Sequence, residues 1–363
     1  QNLKSPQPLV FEPFAYESLK TANEKVFGVD GLVSYNMEKA DVLLSFGADF
    51  LETWLSPVEY ARKFKQMHTH RHGRKNLFFQ VSPYQSLTGA NADHWLACKP
   101  GSESVVALGL VRQALDIGKG RDLPGSYHEF MNTVTAPYTQ DQLLDINKRH
   151  RVEMAAKRSE VLNFFLNLGT NDVDLLMLNN VNPVFSIPPD GGVREALTRS
   201  KAFVVSFSNF LDETSEMADL ILPVQLPLET WDEYSGKEPI VSSLQPAMGK
   251  MTKASHLGDV LLRAGFENDP PARHYKEWLV SRLAEDHGIA DEAQWVRTLQ
   301  QGGEFKVIIK KARSSKKLKP EKLAQVLGKK SEPRQTDLTL TALPSIRFFD
   351  GRGANRPWLC EIP

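Results

Sequence analysis

The chain has 363 residues, of which 41% are hydrophobic, and its 44 lysine and arginine residues balance its 44 acidic residues. This length and apolar content predict a globular protein with two or three domains. The balanced charge argues against nucleic acid as a partner. The only cysteines are Cys98 and Cys360, which excludes a disulfide framework and any iron–sulfur cluster ligated by this chain alone.

The first part of the chain predicts two strand-and-helix sets. Near-continuous apolar runs indicate strands that are covered on both faces, as in a parallel sheet. In chain order, the predicted elements are a helix near Tyr16–Val26, a strand Ala40–Gly47, a helix Leu55–Met67 with Ser56 as its cap, a strand Asn76–Val81, a polar loop Ser82–Asp93, a strand Trp95–Lys99 and a helix from Ser102 to about Ile117.

The second part predicts a β-α-β unit followed by helices. Between Leu123 and Leu162 the pattern is helical and charged. The later elements are a strand Val173–Leu178, a helix Gly191–Ser200, a strand Ala202–Phe207, a long irregular loop Leu226–Met248, helices His256–Phe266 and His274–His287, a basic segment Lys306–Lys330 and a strand-like tail from Thr336.

Together these elements predict an α/β protein with two doubly wound, mostly parallel units. We expect a first Rossmann-like domain at residues 1–160, a second α/β domain at 161–265, and a helical and basic region at 266–363. Loops at the carboxyl ends of such strands bind ligands in open α/β sheets. Two wound units could hold one large ligand between them, although two unrelated sheets would give the same pattern. The chain begins at Gln1 and closes on an abrupt fragment, so we expect it to be incomplete at both ends.

Few residues suggest catalytic chemistry directly. His68, His70 and His72 have a spacing that could bind a metal, but neighbouring arginines would repel a cation. The acidic pairs Asp212-Glu213 and Asp232-Glu233 have no histidine or nucleophile beside them in sequence, so capping and loop hydrogen bonds are favoured over acid–base catalysis. The chain contains no P-loop, no G-x-G-x-x-G and no G-x-S-x-G motif.

Six short motifs occur in the following order along the chain: GADF, SLTGANAD, PGSE, NPVFSIP, DETSEMADLILP and LETWDEYSG. Each motif is weak alone, but their order resembles the large subunits of the molybdopterin oxidoreductase family, of the dimethyl sulfoxide reductase type. The resemblance covers about Asp41–Met248. It implies that two wound α/β domains surround molybdenum bis(molybdopterin guanine dinucleotide). The positions it places near the nucleotides are Gly47, Ala48, Ser82, Ser86, Pro100, Gly101, Glu103, Asn180, Asn182, Asp212, Glu213 and Thr214.

The chain also departs from that family's pattern. The family's cysteine-rich cluster motif and its metal-ligating Ser, Cys or selenocysteine are not found, and the loop Leu226–Met248 keeps Glu229 but lacks the family's asparagine and arginine. These features resemble the cofactor-free branch, which includes alternative complex III and the menaquinone reductase complex of sulfate reducers. We therefore expect no catalytic residue, no metal and no cofactor in this chain, with the twelve positions vestigial.

That resemblance implies a subunit on the periplasmic side of the cytoplasmic membrane. Its implied partners are an iron–sulfur subunit, a multihaem cytochrome c and an integral membrane quinone-binding subunit. Two alternatives remain: an active molybdenum reductase, such as a polysulfide or thiosulfate reductase, and a plain nucleotide-binding module. We further expect Tyr84, Trp231 and Tyr234 to fill part of the former cofactor cleft. The loop Leu226–Met248 or the segment Lys306–Lys330 is expected to contact the iron–sulfur partner.

Overall fold

The structure, a computed structural model, describes residues 5, 7–27, 31–69, 75–104, 106–107, 144–149, 155–170, 173–237, 240–266, 270–289, 291–305 and 340–361. The chain forms two compact units. Unit 1 comprises Gln1–Glu17 and Arg151–Ile309, and unit 2 comprises Ser18–His150 and Lys310–Pro363. The three-domain division proposed from the sequence stays a prediction.

The helices and strands are numbered in chain order. The helices are α1 Glu17–Phe27, α2 Pro57–His68, α3 Leu87–Ala90, α4 Arg158–Leu166, α5 Pro183–Ser186, α6 Val193–Arg199, α7 Leu257–Gly265, α8 Tyr275–His287, α9 Glu292–Gln301 and α10 Pro357–Glu361. The strands are β1 Val33–Tyr35, β2 Val42–Phe46, β3 Leu77–Ser82, β4 His94–Ala97, β5 Leu144–Arg149, β6 Leu175–Asn179, β7 Phe203–Phe207, β8 Leu220–Ile221, β9 Asp232–Lys237, β10 Ile240–Leu244 and β11 Gly303–Phe305.

Unit 2 is built on the parallel sheet β2-β3-β4, which helix α2 covers on one side. Tyr60, Phe64 and Met67 recur at helical spacing on α2 and are buried. They pack against Phe50 and Phe78, and the ring centres of Phe64 and Phe78 lie 5.3 Å apart in an edge-on arrangement. Burying each of these large side chains contributes about 1.5–3 kcal/mol. The cluster therefore fixes α2 and the loop after β2 on the sheet.

Unit 1 repeats this plan with the parallel sheet β6-β7-β8. Its core joins Phe165 of α4 and Leu197 of α6 to Leu176, Leu178 and Val204 of the sheet. Unit 1 also contains an antiparallel sheet, in the order β11-β10-β9. Helix α8 packs its buried Leu279 and Leu283 in the cluster that contains Trp231 and Trp295.

The main predictions of fold are confirmed. The strands expected at Ala40–Gly47, Asn76–Val81, Trp95–Lys99, Val173–Leu178 and Ala202–Phe207 all form, and each end lies within two residues of its predicted position. Both sheets are parallel and follow β-α-β connections, so the α/β class with two wound units is confirmed. The helices α2, α6, α7 and α8 begin and end within a few residues of their predicted bounds.

Three predictions of local structure are wrong. The stretch Leu226–Met248, expected as an irregular loop, contains the hairpin β9–β10, and β11 pairs with β10 from far along the chain. The segment Leu144–Arg149 is a strand paired with β1, where a helix was expected. Cover on both faces is confirmed for β3 and β7, where successive residues are buried, but is wrong for β2, where Val42 and Leu44 are 57% and 42% exposed.

Several expected features fall outside the described residues. These are the basic segment Lys306–Lys330, most of the helix from Ser102 to Ile117, and the side chains of His70 and His72. The tail that is described, residues 340–361, is mostly irregular and ends in α10 rather than in a strand. Within the described ranges, no helix has the length and apolar character needed to cross a bilayer.

Candidate functional site

The loop that leaves β2 turns sharply at Gly47. Its backbone has a φ of +66°, a left-handed conformation that glycine adopts without steric cost. The Gly47 N–H donates to the carbonyl of Val81 at 2.9 Å, so the turn is fixed to the end of the neighbouring strand. A Cβ atom at this position would approach only Glu103 Oε1, at 3.9 Å. Conformation, and not space, therefore favours glycine here.

The loop that leaves β6 turns in the same way at Asn180. Its φ is +50°, and asparagine is among the few non-glycine residues that tolerate this region. The Asn180 N–H donates to the carbonyl of Phe207 at 3.1 Å. Asn180 and Gly47 thus occupy equivalent places at the carboxyl edges of the two parallel sheets.

A buried threonine holds the next turn in both units. The Leu51 N–H donates to Thr88 Oγ1 at 3.0 Å in unit 2, and the Val184 N–H donates to Thr214 Oγ1 at 3.1 Å in unit 1. Both threonines are fully buried. Because a buried N–H without a partner costs about 1–3 kcal/mol, each hydroxyl stabilises its loop.

An aspartate repeats at the opposite, amino ends of the strands. The Phe78 N–H donates to Asp93 Oδ2 at 2.9 Å, and the Val204 N–H donates to Asp219 Oδ2 at 2.8 Å. Each aspartate N–H in turn donates to the carbonyl of the same strand residue. The two aspartates therefore set the register at which the third strand joins each sheet.

These contacts expose a repeat in the sequence that the motif analysis overlooked. Ser82–Asp93 (SPYQSLTGANAD) aligns without a gap on 208–219 (SNFLDETSEMAD), with serine, threonine, alanine and aspartate identical. The first serine plays the same role in each: Ser82 Oγ donates to the Tyr84 carbonyl at 2.8 Å and Ser208 Oγ to the Phe210 carbonyl at 2.9 Å. The repeated serine, threonine and Ala-Asp could have revealed this repeat from the sequence alone.

The side chains at the carboxyl edge of unit 1 form a closed hydrogen-bond network. Asn182 Oδ1 accepts from Thr214 Oγ1 at 2.6 Å, and its Nδ2 donates to Glu213 Oε2 at 2.7 Å. This bond from Asn182 lowers the pKa of Glu213. Asp212 Oδ1 accepts from the N–H groups of Thr214 and Ser215. The polar groups predicted for unit 1 therefore lie together and bind one another.

The carboxyl edge of unit 2 has different chemistry at equivalent positions. Asp49 stands where unit 1 has Asn182, and Glu52 stands where unit 1 has Phe185. Asp49 is 8% exposed, and its Oδ1 is buried without a hydrogen-bond partner among the described residues. Burial and a hydrogen bond with Asp49 raise the pKa of Glu52, although the Leu87 N–H donates to this carboxyl at 3.0 Å.

Tyr84 completes this group of polar side chains in unit 2. Burial, together with the carboxyls of Asp49 and Glu52, raises the pKa of the Tyr84 hydroxyl. Of the three residues expected to fill a cleft, Tyr84 is half-buried at this edge, and Trp231 packs beside Trp295 in unit 1. Tyr234 is 70% exposed on β9, so the prediction that it fills a cleft is wrong.

The remaining predicted positions mainly shape the unit 2 backbone. The Ala48 carbonyl accepts from Ser45 Oγ, and Ser86 Oγ accepts from the Gly89 N–H as the cap of α3. Gly101, after Pro100, has a φ of +79°. Ser102 Oγ donates back to the Lys99 carbonyl at 2.6 Å. Glu103 Oε1 lies beside Gly47, which adds a third carboxyl to this edge.

Metal binding has little support in the described residues. His68 Nε2 lies 2.9 Å from Asp93 Oδ2, and Lys75 Nζ lies 2.5 Å from Asp93 Oδ1. Burial alone would raise the pKa of Asp93, but the bonds from Lys75, His68 and the Phe78 N–H outweigh it and hold the pKa well below its usual range. In the part of the chain that the structure describes, no group of three His, Cys, Asp or Glu side chains could hold a metal.

Comparison with curated proteins finds a distant relative. The chain is similar to the menaquinone reductase, molybdopterin-binding-like subunit of Nitratidesulfovibrio vulgaris (strain Hildenborough), with 23% identity over 313 residues. The match covers 66% of this chain and 45% of that protein, so the chain spans less than half of the relative's length. No protein-family model matches. The relative's printed name agrees with the resemblance inferred from the six motifs.

The pterin nucleotide implied by the family carries pyrophosphate groups, and the carboxyl edge of unit 2 does not fit them. Asp49 and Glu52 would place carboxyl groups beside the phosphates, where like charges repel. The Gly47 N–H is already bonded to Val81. In unit 1, Asn182 and Thr214 would have to break bonds with each other before binding a nucleotide.

Proposed function

We propose, from the premise that this chain is a molybdopterin-oxidoreductase-like protein, that it is a subunit of a membrane-associated respiratory quinone oxidoreductase complex of the menaquinone reductase type. The observation that carries this proposal is the similarity to the N. vulgaris subunit. The chain keeps both wound sheets of that architecture and the turns at their carboxyl edges.

In this proposal the subunit has a structural role and holds no molybdenum cofactor. Two features support it. The polar side chains at the unit 1 edge bind one another, and the unit 2 edge carries carboxyl groups unsuited to pyrophosphate. A subunit that does not bind the cofactor would support electron transfer through a partner's redox centres.

The proposed partners are an iron–sulfur subunit, a multihaem cytochrome c and an integral membrane subunit that binds quinone. The proposed location is the periplasmic side of the cytoplasmic membrane. The hairpin β9–β10 is the best described candidate for a partner contact, because β9 is an edge strand and carries the exposed Tyr234. A stable contact would bury roughly 1,000 Å² or more.

The test is to purify the full-length protein with its partner subunits from its native host and to measure molybdenum by mass spectrometry. Released pterin is measured by fluorescence in the same sample. We expect iron and haem in the complex but molybdenum and pterin far below one per subunit. A molybdenum enzyme purified from the same cells provides the positive control for cofactor supply.

Stoichiometric molybdenum bound to this subunit would overturn the structural role and favour an active molybdenum reductase. Purification of the protein without any iron–sulfur, haem or membrane subunit would instead contradict its place in a quinone oxidoreductase complex. The two parts of the proposal can therefore fail separately.

A further inference from the structure

His256 immediately precedes helix α7, and its side chain caps the amino end of that helix. The Gly258 N–H donates to Nδ1 of His256 at 2.9 Å. A backbone N–H can only donate, so Nδ1 must accept, and the ring must be neutral with its proton on Nε2. Serine, threonine, asparagine and aspartate, the usual caps, keep their acceptor atoms at neutral and mildly acidic pH. The cap of α7 depends instead on the protonation state of one imidazole.

Tyr275, the first residue of α8, connects this cap to two further elements of unit 1. Its ring stacks on that of His256, with centres 4.4 Å apart and planes at 20°. The Tyr275 N–H donates to Asp259 Oδ1 of α7 at 2.6 Å, and its hydroxyl donates to Asp232 Oδ1 of β9 at 3.1 Å. The same ring covers Gly258 so closely that a Cβ atom there would overlap it. The amino ends of α7 and α8 and the strand β9 therefore meet at His256 and Tyr275.

We propose that His256 is a pH-sensitive cap, and that uptake of a second proton by its ring opens the first turn of α7. The imidazolium has no acceptor atom, so its Nδ1–H and the Gly258 N–H would be two donors facing each other. The first turn of α7 then loses its cap, and with it the close contact of Gly258 with the Tyr275 ring. The inference concerns packing within this chain and does not depend on the proposed complex.

The charged and titratable groups around His256 come from each element packed against it. They are Asp259 on α7, Asp232 on β9, Tyr275 on α8 and Lys250 in the segment before α7. Burial lowers the pKa of His256 and outweighs the two carboxyls, which favour the charged ring. Burial and Asp232 raise the pKa of Tyr275, so its hydroxyl keeps its proton. The neutral ring that the cap requires is therefore the form present at neutral pH.

Hydrogen exchange followed by mass spectrometry tests the cap in the full-length wild-type protein. After correction for intrinsic exchange rates, protection of α7 should fall by about 3- to 30-fold between about pH 7 and about pH 5, because one bound proton shifts an equilibrium by at most about tenfold per pH unit. Helix α4, which contains no histidine, is the internal reference and should keep its protection. Protection of α7 that does not fall, or that falls no more than that of α4, would overturn the proposal.

Two variants separate the cap from other effects of pH. His256→Asn supplies a cap that cannot be protonated in this range, because the asparagine amide keeps its acceptor oxygen, so the pH dependence of α7 protection should disappear. His274→Asn is the matched control, since His274 lies 3.9 Å from Asp259 but makes no capping bond through its side chain. This control should keep the wild-type pH dependence. Persistence of the pH dependence in His256→Asn, or its loss in His274→Asn, would contradict the inference.

Urea unfolding provides a second readout with a defined sign. The pKa of His256 is lowered by folding, so its contribution to stability is complete above the ordinary histidine pKa of about 6.5 and is lost as the pH falls towards the folded pKa. The unfolding midpoint of the wild type should therefore fall more between about pH 7 and about pH 5 than that of His256→Asn. An equal fall in both proteins would show that His256 does not act as a pH-sensitive cap.

Discussion

The carboxyl edges of the two parallel sheets share their backbone contacts but differ in their side-chain chemistry. Gly47 and Asn180 make the same left-handed turn, and Thr88 and Thr214 accept the same kind of backbone N–H. In unit 1 the polar side chains at this edge, such as Asn182 and Glu213, bond to one another, whereas unit 2 places the carboxyl groups of Asp49 and Glu52 there. The comparison teaches that the fold depends on a few repeated contacts, while the positions between them can take different chemistry.

The largest expected loss of stability comes from replacing Asp93, one of the two aspartates that set the strand register, and it should exceed the loss from replacing Asp219. Asp93→Asn should lower the free energy of unfolding by about 1.5–3 kcal/mol at neutral pH, because the side chain is 16% exposed and bonds both Lys75 and His68. Asp219→Asn should cost less than half as much, since Asp219 is exposed. Urea unfolding of both variants measures the difference.

The stability difference between the wild type and Asp93→Asn should also depend on pH. The pKa of Asp93 is lowered in the folded protein, so its contribution is present above the ordinary aspartate pKa and is lost as the pH falls. The stability difference between wild type and Asp93→Asn should therefore shrink below about pH 4. A difference that is the same at neutral and acidic pH would show that the charge of Asp93 contributes little.

The buried threonines give effects of similar size to that of Asp93→Asn. Thr214→Val should cost about 2–3 kcal/mol, because the Val184 N–H and Asn182 Oδ1 both lose a partner. Thr88→Val should cost about 1–2 kcal/mol, since the one bond described for it is that from Leu51. Serine at each position keeps the hydroxyl and is the matched control. Equal costs at the two sites would contradict the difference between the edges.

The smallest effect concerns the two left-handed turns. Gly47→Ala should lower stability by about 1 kcal/mol, because alanine is strained at a φ of +66° although no atom blocks its Cβ. Gly47→Asn should cost less than half of this, as Asn180 already occupies the equivalent turn. Thermal unfolding of both variants decides the order. A larger loss with asparagine than with alanine would show that the two turns are not equivalent.

The sequence predicted the parallel sheets because their strands, such as β2 and β7, are short apolar runs ended by polar or glycine residues. It did not predict the hairpin β9–β10. The β9 sequence DEYSGK has almost no apolar residues, and its sheet depends on pairing of β10 with β11, which lies far along the chain. Pairing of this kind leaves little local signal.

The sequence predicted which loops carry the candidate site residues, but it did not predict the hydrogen bonds between their side chains. Residues such as Asn182 and Thr214 were correctly placed on loops after the strands. Whether their polar atoms are available depends on a contact between two loops about thirty residues apart, and no local pattern shows that. Asp49, which distinguishes the unit 2 edge, was overlooked although it lies within the motif GADF, because only Gly47 and Ala48 of that motif were identified as site residues.

The gap-free repeat of Ser82–Asp93 on 208–219 has a consequence for how such a protein changes over time. Its backbone is secured by a serine, a threonine and an aspartate, and the intervening positions already differ between the two copies. Substitutions at the intervening positions can therefore change the chemistry of a strand edge while the backbone contacts of the turn are inherited unchanged.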